Sequence, residues 1–230
     1  MDRRWTAGAG TIAGMRFSDL HAGPAETLVA ELRDYPEWHR GRERYGVWMV
    51  PVDDAALLSY IGDVRRQLAD LLHPDGQRQP HLTVFVCGFH EPQRVADDDF
   101  PPERLQQQLA LLKSGTGAPC SLPLASPDSF ASAAFIPVGD PQGRLAHWRR
   151  LLGQASEEVR PSAYIPHITL GLYRRRVDAQ VIRERLGGID APAMPMAITQ
   201  LHYATYDTRS QFGPLHSHHR LPLSARAVLR

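Results

Sequence analysis

The chain has 230 residues, and its 26 basic side chains nearly balance 25 acidic ones, so that the formal net charge is +1. This length suits one bilobal domain or two small lobes that share a core. A nearly neutral chain is not drawn as a whole to nucleic acid or to a membrane, so any basic binding surface must be local. No apolar run approaches the roughly 18 residues of a membrane-spanning helix, and the N-terminus lacks the apolar core of a signal peptide. We therefore expect a cytoplasmic protein in which Cys87 and Cys120 are reduced thiols.

Residues 1–44 differ in composition from the rest and are interpreted as an N-terminal extension that wraps the domain formed by residues 45–230. Glycines punctuate the start, and we expect the first 15 residues to be loose. A short helix is expected from Gly23-Pro24 through Leu32. Residues 35–42 mix aromatic and basic types, which favours packing on the domain or covering part of a cleft.

From Tyr45 onwards, patterns of strands and helices alternate. The apolar run Tyr45–Val50 predicts a buried strand, and Asp53 or Asp54 can cap a helix whose apolar residues recur at steps of three and four. Further helices are expected after Asp99, Asp140 and Asp178. The remaining predicted strands are His81–Gly88, Cys120–Leu124, Ala131–Val138, His167–Tyr173, Ala197–Asp207 and Leu215–Leu223.

One order of elements occurs twice in this pattern. A strand, a helix and a His-x-Thr strand run from Val50 to His81, and the same order runs from Val138 to His167. The repeated unit is too long for the repeat of a solenoid protein, so we interpret the repetition as internal pseudo-symmetry of the domain. Two similar units facing each other would bring one histidine from each to a shared cleft.

The two His-x-Thr segments share more than their histidines. They read His81-Leu82-Thr83-Val84 and His167-Ile168-Thr169-Leu170, each follows a proline, and only these two of the 11 histidines have the pattern. Because side chains alternate along a strand, each histidine shares a face with the threonine two residues later, and the opposite face is aliphatic. The same alternation places Phe85 on the face of His81. The polar face is therefore expected to line a cleft.

This arrangement suits displacement at phosphorus. Imidazole titrates near neutral pH, so one histidine can act as a base on the attacking oxygen while the other protonates the leaving oxygen. A threonine hydroxyl can donate a hydrogen bond to a non-bridging phosphate oxygen, whose charge must be stabilised. This chemistry requires no metal and no cofactor.

At this point the sequence resembles the two-histidine (2H) phosphoesterase superfamily, and within it the bacterial branch of 2′-5′ RNA ligase-like proteins and RNA 2′,3′-cyclic phosphodiesterases. The resemblance spans residues 45–223 and rests on two motifs. The first comprises His81, Thr83, Val84, Val86 and Gly88, and the second Pro166, His167, Ile168, Thr169 and Leu170. It implies a bilobal, pseudo-symmetric α+β fold, with two mainly antiparallel sheets and outer helices around a central cleft.

The resemblance also implies metal-independent chemistry, with His81 and His167 as catalytic residues. By analogy His167 is the base and His81 the acid, although the sequence does not decide between the two assignments. Many members carry a basic residue soon after the second threonine, whereas several residues separate Thr169 from Arg174 here. The additional candidates for substrate binding are Phe85 and Tyr173, which share faces with the motif histidines, and Arg174, which opens an arginine run.

The leading hypothesis is a phosphodiesterase that hydrolyses the 2′,3′-cyclic phosphate ends of RNA or nucleotides. One alternative is a 2′-5′ RNA ligase or a phosphodiesterase acting on other 2′-linked or cyclic nucleotides, and another is a non-catalytic RNA- or nucleotide-binding module. The expected partner is thus RNA or a nucleotide, with no membrane, and we expect a monomer. The tract His216–His219 resembles a metal-binding sequence, but an exposed closing strand is the default interpretation.

Overall fold

The computed structural model describes residues 15–74, 76–159, 163–210 and 212–224. Residues 1–14, which include almost all of the stretch expected to be loose, lie outside the described residues. Five helices are described: α1 (Pro36–His39), α2 (Ala55–Gln67), α3 (Pro102–Gly115), α4 (Arg144–Gly153) and α5 (Ala179–Gly187). Nine strands are described: β1 (Arg44–Pro51), β2 (His81–Phe89), β3 (Cys120–Leu122), β4 (Asp128–Ser129), β5 (Ala133–Pro137), β6 (His167–Leu172), β7 (Met196–Ile198), β8 (Gln200–Asp207) and β9 (His216–Pro222).

The strands form one large sheet and one small sheet. Seven strands pair antiparallel in the order β4-β5-β6-β2-β1-β8-β9, and β3 pairs antiparallel with β7. Helices α2 to α5 contribute apolar side chains to one continuous core with one face of the large sheet, in which Trp48 and Trp148 are fully buried. The predicted α+β fold with antiparallel sheets is therefore confirmed, and none of the described helices is long and apolar enough to cross a membrane.

The two halves of the large sheet meet at a very short seam. Strands β2 and β6 pair at Leu82 and Ile168 alone, and on either side of them lie the two longer antiparallel ladders β1–β2 and β5–β6. Leu82 and Ile168 are both fully buried. The seam therefore lies between the two strands that carry the His-x-Thr segments.

The repeat extends to the hydrogen bonds around the seam. In the first half His81 pairs with Pro51 and Thr83 with Met49, and in the second half His167 pairs with Pro137 and Thr169 with Phe135. The amide of Val52 donates to the Pro80 carbonyl at 3.0 Å, and the amide of Val138 donates to the Pro166 carbonyl at 2.9 Å. The two halves are therefore built alike at the level of the backbone.

Each His-x-Thr strand also has a bulge directly after its threonine. Val84 is skipped in the pairing between β1 and β2, and Leu170 is skipped in the pairing between β5 and β6. Such an extra residue reverses the alternation of side chains for the rest of the strand and turns its own carbonyl out of the ladder. In each strand the bulge thus lies between the histidine and threonine at the polar start and the later residues, whose side chains have different surroundings.

The carbonyls of the two bulge residues accept hydrogen bonds from arginines of the opposite half. Arg65 on α2 donates from Nε to the Leu170 carbonyl at 2.8 Å, and Arg149 on α4 donates from Nη1 to the Val84 carbonyl at 2.7 Å. A buried carbonyl without a partner costs about 1–3 kcal/mol. Each half therefore satisfies a backbone group that the short seam leaves unpaired in the other half.

The described part of the extension runs along the second half and then reaches the first. Phe17 is buried in the core, and the amides of Thr27 and Ala30 donate to the carbonyls of Val177 and Tyr173. Because these amides pair with another segment, residues 24–32 are extended and the helix expected there is wrong. Residues 35–42 pack on the domain, where Trp38 contacts the rings of Tyr45 and Phe89.

We predict that Arg149→Met lowers the free energy of unfolding by about 2–4 kcal/mol. The substitution removes the donor to the Val84 carbonyl and the cation that contacts Glu158, whose side chain is only 12% exposed. Denaturation by urea, followed by circular dichroism, measures the effect. Arg150→Met, at the exposed neighbouring position on α4, is the matched control and should change stability by less than about 0.5 kcal/mol. Equal losses in the two variants would contradict the structural role of Arg149.

Candidate active site

The two histidines lie at the beginning of adjacent antiparallel strands. Because Leu82 pairs with Ile168, His81 lies beside Thr169 and His167 lies beside Thr83 across the seam. The two histidines are then diagonal neighbours on adjacent strands. Residues in this relation are typically about 7–8 Å apart. The two histidine and the two threonine side chains are all half-buried. A phosphate-sized group between the imidazoles could contact both of them.

A matching hydrogen bond orients each imidazole. Nδ1 of His81 lies 2.8 Å from the Gln79 carbonyl, and Nδ1 of His167 lies 2.6 Å from the Ile165 carbonyl. A carbonyl oxygen can only accept, so Nδ1 carries the hydrogen in both rings. In the neutral tautomer Nε2 is then the basic atom, and the two rings are held in the same manner by their own chains.

A cavity connects His81 and Thr169 to residues that the sequence analysis did not select. Its lining includes Arg65 from α2, Arg78 from the segment before β2, and Phe212 from the β8–β9 loop. These residues come from three separate segments, and none has a motif that marks it. The nearest signal is the position of Arg78, which lies three residues before His81. The cavity therefore combines one histidine and one threonine of the two motifs, His81 and Thr169, with two cations and an aromatic ring, whereas His167 and Thr83 are not part of its lining.

The surroundings of His81 favour its neutral form. Neighbouring protein atoms partly desolvate the half-buried imidazole, and this desolvation lowers the pKa of His81 to about 4, with the charges of Arg78 and His167 acting in the same direction. The hydrogen bond to the Gln79 carbonyl opposes the shift. Arg78 is itself fixed, because its guanidinium stacks on the Tyr206 ring and its Nε donates to the Gly213 carbonyl. His81 is therefore uncharged near neutral pH.

His167 has a different neighbourhood. Its ring lies 5.2 Å from the ring centroid of Phe130, edge to face, and 5.2 Å from that of Phe135. The two phenylalanine rings stack on each other at 4.1 Å. His167 thus packs against an aromatic pair, whereas His81 lies near an arginine, so the two halves of the site are alike in backbone and unlike in side chains.

Phe85 and Tyr173, two of the expected substrate-binding residues, lie in the core. Phe85 is 2% exposed and Tyr173 is 1% exposed. The bulge at Val84 reverses the alternation, so Phe85 points to the side of Leu82 rather than that of His81. The Tyr173 hydroxyl is hydrogen-bonded to Ser129 at 2.7 Å. The expected placement of both rings in the cleft is therefore wrong.

Arg174 lies at the surface rather than in the cavity. Its side chain is exposed, and its Nε donates to the Asp70 carbonyl at 3.2 Å, beyond the end of α2. The neighbouring Arg175 contacts the carboxylate of Asp70. Arg174 and Arg175 therefore lie at the end of α2, outside the lining of the cavity that holds His81, and Arg176 pairs with Glu26 of the N-terminal extension.

The tract His216–His219 forms most of the closing strand β9. His218 shares a hydrogen bond with the Thr205 hydroxyl at 2.7 Å and stacks against His90. Among the residues that the structure describes, no group of three or more histidine, cysteine, aspartate or glutamate side chains is arranged to hold a metal ion. None of the three histidines of this tract is among the described residues that line the cavity of His81.

Comparisons with known proteins agree with this architecture. The sequence profile of the 2′-5′ RNA ligase superfamily matches residues 51–209. LigT from Escherichia coli, in its apo form, aligns over 80% of this chain and 99% of its own with 16% identity and a TM-score of 0.56. TT0787 from Thermus thermophilus aligns over 80% of this chain and 100% of its own with 15% identity and a TM-score of 0.54. No curated protein matches the sequence.

The fold and the family match together define the class of protein. The chain belongs to the 2′-5′ RNA ligase superfamily, the family of the two-histidine phosphoesterases. The family resemblance expected from the two His-x-Thr segments is thereby confirmed. The superfamily is enzymatic and supports a phosphodiesterase or ligase type of function, and the finer assignment depends on the residues of this chain.

We predict that His81 makes the protein less stable in mild acid. A histidine whose pKa is lowered on folding takes up a proton more readily in the unfolded chain, so stability is lost as the pH falls from the ordinary value of 6.5 towards about 4. His81→Asn should therefore lose less stability than the wild type between pH 7 and pH 5, as measured by urea denaturation. His216→Asn, at an exposed position, is the control. An identical pH dependence in wild type and His81→Asn would contradict the burial of the His81 charge.

Proposed function

We propose that this protein is a metal-independent phosphodiesterase that opens 2′,3′-cyclic phosphates at the ends of RNA or of nucleotides. The proposal is carried by one observation: two imidazoles with the same Nδ1 hydrogen bond lie on neighbouring strands, each beside the threonine of the other motif. This pair can straddle a phosphate and supply both proton transfers of an in-line displacement.

We assign His81 as the general base and His167 as the general acid. The neutral Nε2 of His81 would take a proton from the attacking water, and Nε2 of His167 would give a proton to the 2′ oxygen as its bond to phosphorus breaks. The product is a 3′-phosphate. The lowered pKa of His81 supports this assignment, which reverses the order suggested by analogy.

The phosphate itself would be held by the threonines and by a cation of the cavity. Thr83 and Thr169 lie beside the two histidines, where their hydroxyls can donate to the non-bridging oxygens. Arg78 lies close enough to His81 to affect its titration, and its charge would favour an anionic substrate. Phe212 adds an apolar wall, on which a base or a ribose could pack.

The structures similar to this chain support a nucleotide substrate. E. coli LigT has been observed in complex with 3′-AMP and with phosphate, with TM-scores of 0.51 in both comparisons. The first of these ligands has the chemical form of the product that we propose. A 2′-5′ RNA ligase activity, which the superfamily name includes, would use the same two histidines, with a 5′ hydroxyl in place of water and with the 3′ oxygen instead of the 2′ oxygen as the leaving group.

The proposed activity is measured on an oligoribonucleotide with a 2′,3′-cyclic phosphate end in the presence of EDTA. We expect turnover to a 3′-phosphate, and we expect His81→Ala and His167→Ala each to lower kcat by about 10²–10⁴-fold, since each removes one proton transfer. Thr83→Val and Thr169→Val should each cost roughly 10²-fold, the usual effect of losing one donor to the transition state.

His216→Ala, which removes a histidine outside the cavity, is the control and should keep the activity of the wild type. No product from correctly folded wild type would exclude this substrate class. Near-full activity in either His81→Ala or His167→Ala would exclude the two-histidine mechanism. A 2′-phosphate product would show that the assignment of the leaving oxygen is wrong.

The roles of the two histidines are separated by the pH dependence of kcat/KM on a cyclic mononucleotide. A base must be neutral, so the acidic limb should lie near pH 4, following the pKa of His81 in the free protein. Arg78→Met should move this limb to higher pH, because the Arg78 charge lowers that pKa. If kcat/KM instead rises as the pH falls towards 4, His81 is the acid.

A further inference from the structure

The pseudo-symmetry of the site is broken along the seam between β2 and β6. On the side of α4, Glu158 accepts from the Val86 amide and contacts Arg149, and the Tyr164 hydroxyl donates to the Thr83 carbonyl. These side chains occupy the space next to the bulge of β2. On the side of α2, the equivalent space is the cavity that holds His81 and Thr169.

The cavity continues outwards along α2. A second groove, lined also by Gly62, Arg66 and Ala69, shares Arg65 and His73 with the cavity, as well as the neighbouring Pro74 and Leu170. The groove follows the side of the helix that leads towards its C-terminal end. Among the described residues, the cavity therefore continues into a groove along α2 whose lining includes the basic side chains of Arg65 and Arg66.

Positive charge increases at the far end of this groove. Asp70, which follows the groove residue Ala69, contacts the guanidinium groups of Arg175 and Arg185, and its carbonyl accepts from Arg174. Three arginines thus contact Asp70, two through its carboxylate and one through its backbone carbonyl. The Arg66 side chain is 75% exposed and contacts Asp63. We call the four exposed arginines of this surface, Arg66, Arg174, Arg175 and Arg185, the basic strip.

The basic strip is a local feature of a chain whose net charge is only +1. Exposed ion pairs contribute little to stability, about 0–1 kcal/mol each. Arginines that are only loosely satisfied at a surface can exchange such partners for phosphates, and the release of counterions from the nucleic acid then favours binding. A row of cationic side chains that leads away from a phosphate-binding site can contact the successive phosphates of a single-stranded nucleic acid.

We propose that the basic strip binds the phosphates of the RNA strand that leads to the cyclic end, so that the substrate is an oligoribonucleotide and not a free nucleotide. This inference rests on the proposed function, because it takes the cyclic phosphate to lie between the two histidines. The strand leaves the site along α2 and passes Arg66 to reach Arg175.

The test compares two substrates of the same full-length protein. The kcat/KM for a decaribonucleotide with a 2′,3′-cyclic phosphate end is divided by the kcat/KM for a 2′,3′-cyclic mononucleotide. We expect this ratio to fall by about tenfold in the double variant Arg66→Glu/Arg175→Glu, and the dependence of the decamer reaction on salt to become weaker by about one unit of slope.

The matched control is Arg94→Glu/Arg150→Glu, which makes the same change of charge at exposed positions outside the strip. Arg150 follows Arg149 on α4 as Arg66 follows Arg65 on α2, so it is the counterpart of Arg66 in the other half. The control should keep the wild-type ratio within about twofold, as expected if the decisive factor is the position of the charge and not its total.

A second measurement separates the strip from the catalytic proposal. Fluorescence anisotropy gives the affinity of the wild type and of both double variants for a decamer that ends in a 3′-phosphate and is not turned over. Weaker, less salt-dependent binding in Arg66→Glu/Arg175→Glu alone supports the strip even if no cyclic phosphate is hydrolysed, in which case only the proposed function fails. Equal affinities and equal ratios in the two double variants overturn the strip.

Discussion

The site depends on the fact that two strands of a large antiparallel sheet pair at a single position. Leu82 and Ile168 hold β2 and β6 together, and the bulges at Val84 and Leu170 follow directly. The strands are close enough at this point to place the two His-x-Thr segments side by side. Beyond it, the backbone is completed by the arginines of α2 and α4, which reach across to the other half. The same contacts thus stabilise the join between the halves and create the space beside the histidines.

The function that we propose rests on the combination of symmetry in the backbone and asymmetry in the side chains. Both imidazoles are oriented by a carbonyl two residues earlier in the chain, which leaves Nε2 of each as the atom for proton transfer. Arg78 lies near one ring and an aromatic pair contacts the other. A symmetric pair could bind a phosphate, but a displacement needs one base and one acid at the same pH. In the mechanism that we propose, the unequal surroundings of His81 and His167 would provide that difference.

Much of this arrangement could be predicted from the sequence, because it depends on local patterns. Alternation and helical periodicity located the strands and helices of the domain, and the repeated Pro-His-x-Thr pattern selected four residues that meet at the seam. The burial of Phe85 and Tyr173 in the core could not be predicted in this way. The bulges before them are not evident from the sequence, and each bulge reverses the faces of the residues that follow. Arg65, Arg78 and Phe212 come together only through the tertiary fold. The extended course of residues 24–32 depends on hydrogen bonds to a distant segment that contains Tyr173 and Val177.

The central claim is that both imidazoles act on one phosphorus atom, and a crystal structure with a bound transition-state analogue tests it most directly. We predict that a uridine–vanadate complex places the vanadium between the rings, with oxygens at hydrogen-bond distance, about 2.6–3.2 Å, from Nε2 of His81 and Nε2 of His167. The hydroxyls of Thr83 and Thr169 should contact the remaining oxygens. Vanadate bound to only one of the histidines, or bound outside the cavity that His81 lines, would contradict the account.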